Sequence, residues 1–203
     1  IMTASKPGYS PQCTLGSINL ANQIGEDSVA KSTKVLVKAL NKVIDKNKWS
    51  DEWAELAGLD QRNLAIGVAG MADMFAKMNV SFESDAAKNL TEEIFQTMYK
   101  AAVWQSYDLA ISEGSSYPAW KGSRYSKGET YIEGWTPIGE GKPIPMRNSL
   151  LLGLMPTASS ANLLGVFESF QPVDSNMFTR SVSDGEYVII NKYLVNELIE
   201  LGL

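Results

Sequence analysis

At 203 residues the chain has room for one domain with a substantial buried core. Hydrophobic residues make up 44% and charged ones 20%, a globular rather than disordered composition, and a net charge of −5 with scattered Lys and Arg argues against a nucleic-acid or anionic-membrane surface. The sharpest exclusions come from His 0 and Cys 1. They rule out a Ser-His-Asp or Cys-His arrangement and an internal disulfide within the chain, and leave too few N/S ligands for a zinc site.

The leading residues to Pro11 are polar and carry no apolar signal region, and the longest apolar run, Leu150 to Met155, is too short to cross a bilayer. A first residue Ile1 and a helical pattern running to Leu203 read as a soluble, cytoplasmic segment cut from something larger.

In chain order, a Pro/Gly loop leads into Cys13 to Leu20, whose weak period of two predicts a strand. Leu36, Leu40, Val43 and Ile44 recur at helical spacing within 29–48, with Lys31, Lys34, Lys38, Lys42 and Lys46 on the solvated face. A Trp-rich loop, 49–60, follows. Leu64, Val68, Met71, Phe75 and Met78 then step as a core-facing helical stripe interrupted by Gly67 and Gly70. A long helix is expected over 84–113, with Ser84 as N-cap and Gly114 as stop. Residues 115–145 form a Gly/Pro-rich excursion. An apolar strand over 149–155 precedes Pro156-Thr157-Ala158-Ser159-Ser160, which opens a short helix; a strand over 186–190 and a helix over 193–203 complete the chain. Alternating strands and helices indicate an α/β class with parallel strands.

Three features could carry chemistry. The strand–Pro–Thr–Ala–Ser–Ser–helix junction places hydroxyls at a helix start, where free amides and the helix dipole favour a phosphate. Ordinary capping by Thr157 or Ser159 satisfies the same pattern. Cys13 is either a small buried hydrophobe or, after a flexible loop and at a strand start, a redox thiol whose partner lies elsewhere. The glycine-bearing stretch Ile66 to Asp73 reads as close packing rather than a nucleotide loop, because no strand precedes it and the apolar stripe runs through it. Asp73 and Arg62 then take structural roles, while Glu168 near the Ser/Thr junction is a carboxylate available for acid/base work.

Taken together, the segments resemble ribonucleotide reductase large subunits. Cys13-Thr14-Leu15-Gly16-Ser17-Ile18-Asn19-Leu20 is similar to the block around a redox-active cysteine, RNLAIGVAGMADMF (62–75) to the glycine-containing helix, and RNSLLLGLMPTASSANLLGVFESFQPVDSNMFTR (147–180) to the substrate-phosphate loop and the segment after it. The three blocks stand in family order. The Met-Pro-Thr-Ala-Ser-Ser form resembles the class I, oxygen-dependent enzymes, whereas cobalamin-dependent relatives tend to a Pro-Thr-Gly-Thr version.

The resemblance implies the later part of a ten-stranded α/β barrel over 1–203, incomplete in this chain. It implies reduction of ribonucleoside diphosphates to deoxyribonucleotides by radical chemistry, for DNA synthesis. Thr157, Ala158, Ser159 and Ser160 correspond to the diphosphate-binding loop, and Cys13 to one of the two cysteines that become a disulfide. The Asn-x-Cys-x-Glu loop of the radical cysteine, the other redox cysteine, the nucleotide-effector region, the radical-carrying tyrosine pair and the cysteine-bearing tail have no match here, so the segment is expected not to turn over alone. Implied partners are the substrate, the N-terminal part of the large subunit, a metal-containing small subunit that supplies the radical, a second large subunit, and thioredoxin or glutaredoxin. No cofactor or metal is expected in this chain. A cobalamin-dependent segment and a non-catalytic remnant of the fold are the competing readings.

Overall fold

A computed structural model of the chain describes residues 5–23, 25–182 and 185–203; the first four residues of the leading loop lie outside it. Strand β1 (Thr14–Asn19) forms where the sequence alternates, and it pairs in parallel with β2 (Leu64–Ala69), Thr14 opposite Leu64 and Asn19 opposite Ala69. A parallel pair needs a crossover. Here α1 (Gly25–Lys46) and α2 (Glu52–Gln61) supply it.

Helix α1 turns Val29, Val37, Leu40 and Ile44 into the core and its five lysines to solvent. Leu36 is half-buried over β1 at Gly16, whereas Val43, expected on the apolar stripe, is 49% exposed. Helix α2 replaces the expected Trp-rich loop. Asp51 caps it, accepting from the amides of Trp53 and Ala54 through one oxygen. The helix escapes pattern reading because it buries Ala54, Ala57 and Gly58 and leaves Trp53, Leu56 and Leu59 exposed. Trp49 lies so close over Gly58 that a Cβ there would sit 2.2 Å from its ring.

The expected helical stripe over 64–78 is instead β2 followed by α3 (Met71–Lys77), joined by Gly70 at φ 70°. Two periods produced one apparent stripe. In a strand, residues 64 and 68 share a face because four is a multiple of two; 71 and 75 share one on a helix. All six residues of β2 are buried, so no alternation betrays the strand. Met78, counted in the stripe, is 53% exposed. Helix α4 (Asp85–Ser112) matches expectation: the Ser84 hydroxyl accepts from the Ala87 amide, and Gly114 follows at φ 69°. It packs along α1, placing Ile94, Met98, Ala102 and Val103 with Leu64, Ile66 and Val68 in one core.

Residues 115–145 hold two 3₁₀ turns, Pro118–Trp120 and Tyr125–Lys127, and are anchored by buried Tyr117, Tyr125 and Ile144. The strand expected over 149–155 survives as a single parallel bridge, Leu152 to Ile66. The Leu64 amide bonds the Leu150 carbonyl and the Ile66 amide bonds that of Leu151, so β2 advances two residues while its neighbour advances one. That slip breaks the ladder. Helix α5 (Ala158–Leu164) follows, then β3 (Met177–Val182) and β4 (Gly185–Ile190), an antiparallel pair where a single strand was expected. Helix α6 (Lys192–Glu200) ends three residues before Leu203. The result is an α/β fold whose described residues form two separate two-stranded sheets and no closed barrel.

Candidate functional site: a thiol, a small-residue floor and an uncapped helix start

The sheet has two unlike faces. Gly16 looks onto Leu36 of α1, so the opposite face of β1 carries the alternate set Cys13, Leu15 and Ser17. Leu15 is 51% exposed on that face and Cys13 is half-buried. Opposite Leu15, Ser17 and Asn19, β2 contributes only Ala65, Gly67 and Ala69. Gly67 admits the neighbouring segment: a Cβ there would lie 2.9 Å from the Gly153 carbonyl oxygen and 3.1 Å from the Met155 methyl.

The amino ends of these strands are locked by two Arg-Asn pairs, 62–63 and 147–148. Buried Asn148 donates to the Arg62 carbonyl at 3.0 Å and accepts from the Ser106 hydroxyl at 3.0 Å. Arg62, in the left-handed region at φ 49°, donates to Asn41 Oδ1 at 2.8 Å and to Asp45 at 2.6 Å. Beside Cys13, the Thr14 amide bonds the Asn63 carbonyl, and the Ser149 hydroxyl bonds Asn63 Oδ1. Burial pushes the Cys13 thiol above its ordinary value. Below the ordinary thiol range the group is protonated in folded and unfolded chains alike; above it only the unfolded chain sheds the proton, so stability falls as pH rises. Alkylation of Cys13 by iodoacetamide is expected to reach half its maximal rate above about pH 8.5, the free-thiol value. A rate profile centred below that value contradicts this.

At the carboxyl end, Thr157 stands at the N-cap of α5 but makes no capping bond with its side chain. Its hydroxyl oxygen accepts instead from the Ser169 amide at 2.8 Å, and the Ser169 hydroxyl donates to the Met155 carbonyl at 2.9 Å. Ser159 lies within the helix and caps nothing. The first bond of α5 runs from the Ala161 amide to the Thr157 carbonyl, which leaves the amides of Ala158, Ser159 and Ser160 without an intrahelical acceptor. Ala158, Ser159 and Ser160 are exposed, while Thr157 is buried. Capping, the simpler reading of this junction, is not what the hydroxyls do.

Cys13 and this turn are not neighbours. Cys13 is level with Asn63 and Ser149, and the turn follows Met155 on the same segment. Eight residues, Ser149 to Thr157, separate the two levels along the chain, at most about 26 Å if fully extended. Glu168 pairs with Arg180 at 2.9 Å beside a cavity of about 530 Å³ under β3 and β4, away from the thiol. Asp73 and Arg62 sit in the structural networks expected of them. The sequence reading missed Ser169 and Asn63; the repeated Arg-Asn before each parallel segment is the signal that marked the latter. Among the described residues no group of three or more His, Cys, Asp or Glu could hold a metal, and no helix is long and apolar enough to cross a membrane.

The family model described as "Ribonucleotide reductase, barrel domain" matches residues 1–203. The ribonucleoside-diphosphate reductase large chain of Encephalitozoon cuniculi is 38% identical over 94% of this chain and 27% of its own length. Large chain 2 of Saccharomyces cerevisiae is 35% identical over 100% of this chain and 26% of its own, and the Dictyostelium discoideum large subunit 40% identical over 84% and 21%. The chain thus spans about a quarter of the length of the relatives it matches. With the family model covering every residue and these relatives aligned over most of the chain, this chain belongs to the ribonucleotide reductase family, in its barrel domain.

Proposed function

We propose that this chain is the barrel segment of a class I ribonucleoside-diphosphate reductase large subunit, with the Thr157–Ser160 turn holding the substrate diphosphate and Cys13 supplying one of two reducing thiols. The observation that carries this reading is the uncapped start of α5. Three amides, two adjacent hydroxyls and the positive end of a helix converge where, among the described residues, no side chain caps them.

The chemistry follows from the electron count. Loss of the 2′-hydroxyl as water, with hydrogen in its place, consumes two electrons; two thiols supply them with their protons and become a disulfide, which thiol exchange with thioredoxin or glutaredoxin restores. Cys13 is the chain's sole thiol, so its partner belongs to another part of the large subunit. A protonated thiol is the form that delivers hydrogen, and burial of Cys13 favours it. The radical that starts the reaction comes, in this reading, from a metal-containing small subunit, and the assembly is a cytoplasmic one containing two large subunits. The turn's task is positional: a held diphosphate keeps the ribose in reach of the thiols.

The test is to enlarge the turn. Ser159→Leu with Ser160→Leu is expected to raise KM for the ribonucleoside diphosphate roughly 10- to 100-fold, as lost contacts to a charged group. An unchanged KM overturns the assignment of the turn.

A further inference from the structure

Asp73 is a fully buried carboxylate in the first turn of α3. One oxygen, Oδ2, accepts from the Phe167 amide at 2.6 Å; the other, Oδ1, accepts from the Tyr193 hydroxyl at 2.8 Å and lies 3.3 Å from Lys192 Nζ. Lys192 also donates to the Gly165 carbonyl at 2.6 Å. The same short stretch is held from α3 a second way, because the Gly70 and Met71 amides bond the carbonyls of Phe167 and Ser169. Ser169 is buried in the left-handed region at φ 50°, a conformation that a serine keeps only when its surroundings impose it. From there its amide engages the Thr157 hydroxyl and its own hydroxyl the Met155 carbonyl, on either side of Pro156. Hydrogen bonds joined through the 167–169 backbone therefore run from α6 by way of Asp73, Phe167 and Ser169 to Thr157, and the last of them is what withholds the cap from α5.

We propose that Asp73 is the positioning residue of the diphosphate turn: it fixes the 167–169 strap that keeps the amides of Ala158, Ser159 and Ser160 open, and α6 clamps that carboxylate through Tyr193 and Lys192. The proposal rests on the reading of the turn as the diphosphate site. Without Asp73 the strap is left with only its Gly70 and Met71 bonds, which do not hold Ser169 in its strained conformation, and the Thr157 hydroxyl is released to cap α5 in competition with the ligand.

The experiment uses the assembled reductase carrying this chain, with inorganic pyrophosphate as a competitive inhibitor against the ribonucleoside diphosphate. Asp73→Ala is expected to raise both KM and the pyrophosphate inhibition constant roughly tenfold with kcat within about twofold, and Tyr193→Phe roughly threefold. Asp73→Asn, whose carboxamide oxygen still accepts from Phe167, restores both constants to within about threefold of the parent. If Asp73→Ala does not assemble, Tyr193→Phe and Asp73→Asn carry the test. Parent enzyme indifferent to pyrophosphate removes the turn reading, and this proposal with it. Normal inhibition of the parent, with both constants unmoved in Asp73→Ala and Tyr193→Phe or with only the melting temperature lowered, overturns the role of Asp73 alone.

Discussion

In the assembled reductase, Cys13→Ser is expected to lower steady-state deoxynucleotide formation roughly a thousandfold or more, to the background of the assay. Serine is close in size to cysteine and fills the same half-buried position at the amino end of β1 without disturbing the Thr14–Asn63 or Ser149–Asn63 bonds beside it. It cannot be oxidised to a disulfide, so the two-electron reduction has no second sulfur to close on. Binding answers separately. Cys13 lies at the other end of the strands from the 157–160 turn, so the dissociation constant of the ribonucleoside diphosphate is expected to stay within about twofold of the parent. Rapid-quench turnover with a dithiol reductant, together with equilibrium binding, measures the two quantities on one preparation. Unchanged steady-state reduction sinks the redox role of Cys13; a large loss of binding with turnover per bound substrate preserved reassigns the residue to packing.

Sequence patterns reach some of this architecture and not the rest, for identifiable reasons. Helix α4 is legible because its amphipathic spacing, Ser84 cap and Gly114 stop all point one way. Helix α1 is legible by its lysine face. Strand β2 is not: buried on both faces, it lacks alternation, and its four-residue spacing runs straight into the spacing of α3. Helix α2 is hidden for the opposite reason, since it packs its small residues and exposes its large ones. Strand β3 has no apolar run, since Thr179, Arg180 and Ser181 part Met177 and Phe178 from Val182, and it takes its form from pairing with β4. At the site, Thr157 to Ser160 stand out in the sequence, yet what engages the Thr157 hydroxyl in place of a capping bond is Ser169, twelve residues on, whose amide donates to it. Long-range hydrogen bonds of that kind leave no local trace. Asp73 shows the same limit: inside the apparent helical stripe it reads as a structural residue, and its reach to Phe167 and Tyr193 appears only once the chain is folded.

The mutation that best separates local preference from tertiary contact is Gly67→Val. By strand propensity alone it should stabilise, since valine is a favoured strand residue and glycine a poor one, with a span of about 1 kcal/mol between the extremes. The contacts predict the reverse. A Cβ on residue 67 meets the Gly153 carbonyl oxygen at 2.9 Å, which is backbone and cannot swing aside, with the Met155 methyl at 3.1 Å behind it. Valine adds two methyl groups beyond that Cβ. The 149–155 segment must withdraw from β2, breaking the Leu152–Ile66 bridge and the Gly153 amide bond to the Ile66 carbonyl. A loss of about 3 kcal/mol is expected, at the upper end for overpacking because the obstacle is main chain. Gly16→Ala supplies the control on the opposite face. There the nearest atoms to the added Cβ all belong to the Leu36 side chain, its methyl groups at 3.0 and 3.2 Å and its Cγ at 3.4 Å, and a half-buried leucine can change rotamer, so a cost under about 1 kcal/mol is expected. Chemical denaturation of the two variants beside the parent measures both. The functional consequence comes through the chain itself: Gly153 is three residues before Pro156, so displacing it moves the turn, and Gly67→Val is expected to weaken ribonucleoside diphosphate binding at least tenfold even under conditions where the variant stays folded. A variant as stable as the parent, or one destabilised with binding intact, shows that the 149–155 segment is not seated on Gly67 in this way.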